Sequence, residues 1–192
     1  MKNKRPIVIT FAGIDGTGKT TQIEKLKKHF ENKSKTVKIL KAKYKPFHKY
    51  ECSVLTTDIL RIVMALEYVD YYNYHFSNLQ EYDYILCDRS KECLLAYGIT
   101  YGANNIDDLF KILSLTPDPD YLLYFKCDAD ISLARLNKAK TLLEDDENYD
   151  LLNTTLYNYE KVFKKFNTSH YTIDANQTQN KIFKIILDII SS

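Results

Sequence analysis

From Ile7 to Gln22 the chain reads IVITFAGIDGTGKTTQ: an apolar run of strand length, a glycine-rich turn and a helix start in direct succession. Gly13, Gly18, Lys19 and Thr20 fit the pattern G-x-x-x-x-G-K-[ST] with Gly16 between them, so three of the five glycines in the chain sit in one loop. Such a loop hangs between a buried strand and a helix, and its successive N–H groups point at one spot backed by the positive end of the helix. A nucleoside triphosphate is the expected ligand, held by Gly13, Asp15, Gly16, Thr17, Gly18, Lys19, Thr20 and Thr21. Lys19 is expected at the β- and γ-phosphates, and the Thr20 hydroxyl at a bridging Mg²⁺.

The remaining 170-odd residues must complete a fold around that loop. At 192 residues one compact domain, residues 1–192, is expected, large enough to bury a core without disulfides. A formal charge of +2 offers no broad basic field for nucleic acid or an anionic membrane. MKNKRP followed by a short apolar run is not a signal peptide, and no stretch is long enough to span a bilayer, so cytoplasmic residence is the default expectation. Cys52, Cys87, Cys93 and Cys127 lack C-x-x-C spacing and read as reduced thiols.

Short apolar runs alternate with longer segments of helical period, the pattern of an α/β fold with a parallel sheet covered on both faces. Strands are predicted at Ile7–Phe11, Val37–Lys41, Tyr84–Cys87, Tyr121–Phe125 and Tyr171–Ile173. Helices are predicted over Lys19–Phe30, within Val54–Leu79, and over Glu92–Tyr101, Ile106–Leu115, Ile131–Lys138, Tyr149–Phe166 and Asn180–Ile190. A lid is placed at about 138–148, within which TLLEDDEN at Thr141–Asn148 is polar and acidic. Ligands of such sheets gather beyond the carboxyl ends of the strands, near Ala12, Ala42, Asp88, Lys126 and Asp174.

The third strand ends in Asp88-Arg89. A carboxylate there is placed to organise Mg²⁺ opposite Thr20, and the guanidinium presents a planar fork to a second phosphate. The alternative is a helix-capping Asp beside a solvated Arg. Arginine is scarce, which draws attention to Arg61, Arg89 and Arg135.

The chain resembles the thymidylate kinases among the nucleoside monophosphate kinases. The resemblance rests on FAGIDGTGKTTQ at Phe11–Gln22, CDRSKECLLAYG at Cys87–Gly98, DADISLAR at Asp128–Arg135, ENYD at Glu147–Asp150 and IDA at Ile173–Ala175. It implies a P-loop fold with a five-stranded parallel sheet, ATP and Mg²⁺ as cofactors, a small nucleotide as partner and a homodimer. Residue by residue it implies that Asp15 accepts from the acceptor's 3'-hydroxyl, Arg89 holds its 5'-phosphate and Asp88 acts through the metal. Lys19, Asp88, Arg89 and Asp15 form the catalytic set, with Thr20 and Asp88 toward the metal. Tyr149 would pack against the sugar, Arg135 would stack on adenine, and Ala175 would border it. Tyr71 and Arg61 complete the expected acceptor side.

The acceptor side departs from the family pattern. Tyr44-Lys45-Pro46-Phe47-His48 replaces an Arg-Glu-Pro-Gly-Gly segment, and Tyr71 stands where an arginine is usual. Cys93, Leu94 and Gly98 replace polar base readers; Tyr68, Tyr71, Tyr72, Tyr74 and Phe76 form an aromatic run suited to core or to base stacking. Position 16 is glycine and the lid carries only Lys138 and Lys140, so a transition-state arginine has no evident source. The expected activity is transfer of the γ-phosphoryl of ATP to a nucleoside monophosphate. Two alternatives stay open: a nucleoside kinase acting on a 5'-hydroxyl, and a nucleotide-binding accessory protein without fast transfer.

Overall fold

In the computed structural model, which describes residues 5–41, 57–79, 81–139 and 148–191, five strands form one parallel sheet: β1 (Ile7–Ala12), β2 (Val37–Lys41), β3 (Tyr84–Asp88), β4 (Tyr121–Lys126) and β5 (Tyr171–Asp174). Their order is β2-β3-β1-β4-β5, all neighbours parallel. Helices α1 (Lys19–Glu31), α2 (Thr57–Asn78), α3 (Lys91–Thr100), α4 (Ile106–Leu113), α5 (Ala129–Ala139), α6 (Tyr149–Lys165) and α7 (Gln179–Ser191) connect and cover them.

The two-residue period of the strands divides the core into two layers. Ile9 and Phe11 of β1, Leu86 of β3, and Leu123 and Phe125 of β4 face α1 and α7, where Ile23, Leu26, Phe30, Ile182 and Ile186 meet them. Val8, Ala12, Ile85, Cys87, Leu122 and Tyr124 face the opposite way, toward α2, α3, α4 and α6. With both faces buried, the central strands are mostly apolar, as a parallel sheet requires, with Thr10 inside β1 and Asp88 and Lys126 at the ends of β3 and β4. Tyr68 and Tyr72 of the aromatic run go into this second layer, while Tyr74 stays exposed.

Strand ends match expectation to within a residue; two helices differ more. α5 begins at Ala129 rather than Ile131. α4 stops at Leu113, two residues early, because Ser114 Oγ takes the Phe110 carbonyl (2.7 Å) and Thr116 Oγ1 takes that of Leu113 (2.6 Å). Cys87, Cys93 and Cys127 are buried free thiols, and burial pushes Cys87 up to about 12. Cys52, the Tyr44–His48 segment and the lid residues 140–147 lie outside the described residues. No helix among the described residues is long and apolar enough to cross a membrane.

Candidate active site

β1 and β3 are adjacent and in register, with Phe11 opposite Asp88, so the loop after β1 and the turn after β3 open side by side. The loop closes by close packing. A Cβ on Gly13 would lie 2.5 Å from the Phe125 carbonyl oxygen, and one on Gly16 only 2.4 Å from that of Ser132 on α5. Gly18, in the left-handed region at φ 86°, caps α1 with no side-chain bond, and the first turn of α1 holds no acidic residue. The amides at that helix start are thus left to an anion.

Lys19 is buried, with Nζ donating to the carbonyls of Gly13 (2.8 Å) and Ile14 (2.6 Å) and to Thr17 Oγ1 (3.2 Å). Burial, aided by the Arg89 charge, lowers its pKa to about 8 against the pull of Asp15. Thr17 itself turns inward, its hydroxyl donating to the Ile14 carbonyl at 3.0 Å. Gly13 N–H donates to the hydroxyl of the fully buried Tyr159 at 3.3 Å.

Thr20 Oγ1 and Asp88 Oδ2 stand 3.3 Å apart. The capping alternative for Asp88 fails, because Ser90 is the N-cap of α3 and Cys93 Sγ accepts from the Ser90 N–H at 3.3 Å in a capping box. A buried carboxylate and a hydroxyl converging at the loop mouth are hard oxygen donors of the kind Mg²⁺ prefers. Among the described residues no cluster of three His, Cys, Asp or Glu forms a second candidate centre.

Arg89 adopts φ 100°, its N–H held by the Phe11 carbonyl at 3.2 Å and its own carbonyl by the Tyr72 hydroxyl at 3.2 Å. This turn aims its guanidinium at Asp15 Oδ1, 2.5 Å away, while Tyr97 donates to Asp15 Oδ2 at 3.0 Å. Burial pushes the Asp15 carboxyl up, but Arg89, Lys19 and the Tyr97 hydroxyl outweigh it and hold it below the usual range. Burial and the Asp15 charge raise Tyr97, so it stays a neutral donor.

On the far side of the loop, Arg135 donates to the Ala175 carbonyl at 2.8 Å, so these two expected base contacts meet. Thr21 follows on the exposed side of α1. Along α3, Arg89 lies 5.7 Å over the Tyr97 ring, Tyr97 and Tyr101 lie 6.4 Å apart, and Arg61 of α2 lies 4.8 Å over Tyr101. Arg61 is thereby tied to the Arg89 wall. Tyr71, by contrast, packs edge-on against Tyr72 and His75. Tyr149 opens α6 on an exposed face.

A thymidylate kinase family model matches residues 11–186, nearly the whole fold just described. The chain belongs to the thymidylate kinase family. It is 26% identical to the probable thymidylate kinase 1 of Saccharolobus solfataricus over 95% of this chain and 96% of that one. The thymidylate kinase of Leptospira interrogans (serovar copenhageni) is 28% identical, covering 98% and 96%. That of Wolbachia pipientis wMel is 32% identical, over 82% of each. Family membership makes this chain a kinase phosphotransferase that uses a small nucleotide.

Sequence reasoning missed Tyr97, Tyr159 and Lys41. Tyr97 lay within a quoted motif, eight residues after Arg89. The other two carry no local signal, since only tertiary contact brings Tyr159 to Gly13 and Lys41 to Asp88. The replaced base readers are explained by packing: Cys93 completes the cap, Leu94 is buried, and Gly98 faces Ile106, Ala103 and Leu109 of the α3–α4 contact.

Proposed function

We propose that this kinase transfers the γ-phosphoryl of MgATP to the 5'-phosphate of dTMP. The observation that carries the reading is the cluster in which Arg89 and Tyr97 grip the two oxygens of Asp15, itself a residue of the phosphate loop. The donor tail lies along Gly13–Thr21 at the start of α1, its base between Arg135 and Ala175. Thr20 and Asp88 would hold Mg²⁺, which would supply charge neutralisation at the phosphate oxygens. Arg89 receives the acceptor phosphate as a bidentate fork, and Asp15 receives a sugar hydroxyl. Catalysis then consists of positioning and charge stabilisation.

A monophosphate acceptor suits this cluster better than a 5'-hydroxyl. Asp15, held below the ordinary carboxylate range by Arg89, Lys19 and Tyr97 against the effect of burial, is a weak general base. A phosphate acceptor is already nucleophilic and needs none. The Tyr97–Tyr101–Arg61 wall runs away from Arg89, as the base must run away from its phosphate. A guanidinium only donates, so Arg61 favours a pyrimidine carbonyl over an exocyclic amine, and thymine over cytosine. Tyr149 and Tyr71 are the remaining acceptor-side residues of the proposal. A homodimer through α2, which exposes Ile59 and Leu66, completes it.

Acceptor titrations test the assignment. Arg89→Ala is expected to raise the KM for dTMP at least ~30-fold, or to abolish turnover, while ATP binding measured by calorimetry persists. Unchanged acceptor kinetics in that variant would contradict it.

A further inference from the structure

We propose that Lys41 is a catalytic residue of this kinase: its ammonium leaves Asp88 to bind the phosphoryl group in transit between donor and acceptor. The proposal rests on the kinase reading above and adds to it the cation that the sequence failed to supply.

Lys41 ends β2 directly opposite Asp88 in the sheet register. Its Nζ lies 3.5 Å from Asp88 Oδ2, the same oxygen that the Thr20 hydroxyl approaches at 3.3 Å. The pair is lopsided: the Lys41 side chain is 59% exposed and that of Asp88 only 6%. A half-solvated ion pair at that distance is weak, of order 0–1 kcal/mol, so the ammonium leaves it at little cost. The root of the side chain is fixed, because Lys41 is paired in register with Asp88 at the end of the β2–β3 ladder. A pinned backbone with a weakly paired, half-solvated head is what a mobile phosphate-binding lysine needs.

Lys19, Arg89 and Arg135 are each held to a protein oxygen at 2.5–2.8 Å, against 3.5 Å for Lys41. Lys19 bonds the Gly13 and Ile14 carbonyls, Arg89 bonds Asp15, and Arg135 bonds the Ala175 carbonyl. The reaction brings two polyanions together. An acceptor phosphate oxygen donates an electron pair to the γ-phosphorus, the bond from that phosphorus to the β–γ bridging oxygen breaks, and its electron pair stays on the departing ADP. Charge spreads over the three equatorial oxygens meanwhile, and a cation there stabilises the transition state specifically. Lys41 stands at the loop mouth on the Arg89 side of the sheet, where those oxygens pass.

Lys41→Met, Lys41→Arg and, as a control for lost charge on the same strand, Lys38→Met give the test. Two quantities are measured: kcat with MgATP and dTMP, and the affinity for inorganic tripolyphosphate by calorimetry without metal. Lys41→Met is expected to lower kcat ~100-fold and weaken tripolyphosphate ~5-fold or more, with Lys41→Arg recovering most of both and Lys38→Met unchanged. Unchanged kcat and affinity in Lys41→Met, or losses as large in Lys38→Met as in Lys41→Met, would overturn the proposal. If the wild-type protein moves no phosphoryl to dTMP, the acceptor reading fails, and the tripolyphosphate arm alone decides: Lys41-dependent binding supports the contact, Lys41-independent binding refutes it.

Discussion

Lys19 shows how a single residue couples ligand and proton. Burial, with Arg89 beside it, lowers its ammonium pKa to about 8. A bound triphosphate stabilises the charged form and raises that value, so binding takes up protons from about pH 8 upward and weakens as pH climbs through that range. Calorimetry at pH 8.5 in buffers of different ionisation enthalpy is expected to show uptake of a fraction of a proton, absent in Lys19→Ala. The same variant, and Asp88→Ala, should lose at least ~100-fold in transfer rate while keeping a native circular dichroism spectrum. Tyr159→Phe leaves the Gly13 N–H without its acceptor. A cost of about 1–3 kcal/mol in denaturant unfolding is expected for that buried orphan. These individual roles were legible to different degrees. Gly13, Lys19 and Asp88 announce themselves because their chemistry is written in a local pattern, whereas Tyr159 acts from 146 residues away and looks in sequence like any other aromatic on a helix.

Among the elements, the loop between β1 and α1 is held by what packs on it. Gly16 and Gly18 both take positive φ, yet a Cβ on Gly16 meets the Ser132 carbonyl and Leu136, whereas one on Gly18 meets nothing within 4 Å. Gly18→Ala therefore carries only the backbone strain of about 1–2 kcal/mol, while Gly16→Ala must also push α5 away. Thermal unfolding should rank them so, with the larger drop in melting temperature for Gly16→Ala; equal drops would show that α5 yields freely. Element positions were readable because apolar runs bounded by polar residues fix a parallel strand from both faces, and the five strands fall where the runs lie. Helix ends were less readable. The stop of α4 depends on Ser114 and Thr116 hydroxyls choosing carbonyls within their own turn, a local competition that periodicity does not register. On the acceptor side Cys93 looked like a lost base reader and proved to be a capping partner.

At the scale of the molecule, the sheet order β2-β3-β1-β4-β5 brings three chain-distant loops to one edge: the phosphate loop, the Asp88-Arg89 turn and the end of β2 with Lys41. In the proposed assignment, donor and acceptor meet at the carboxyl end of one strand pair, β1 and β3. Saturating ATP at about 100 times its dissociation constant should add about 2.7 kcal/mol to stability, a rise of roughly 5–10 °C in melting temperature for a chain of this size. The central claim is that the group beside Arg89 is the phosphate of a pyrimidine nucleotide. Incubation with MgATP and a panel of nucleosides and nucleoside monophosphates, with every product resolved, tests it most directly. The account predicts ADP and dTDP in equal amounts from dTMP, little product from dCMP, and none from thymidine. Conversion of thymidine to dTMP, or ADP formed at the same rate with no acceptor present, would contradict it.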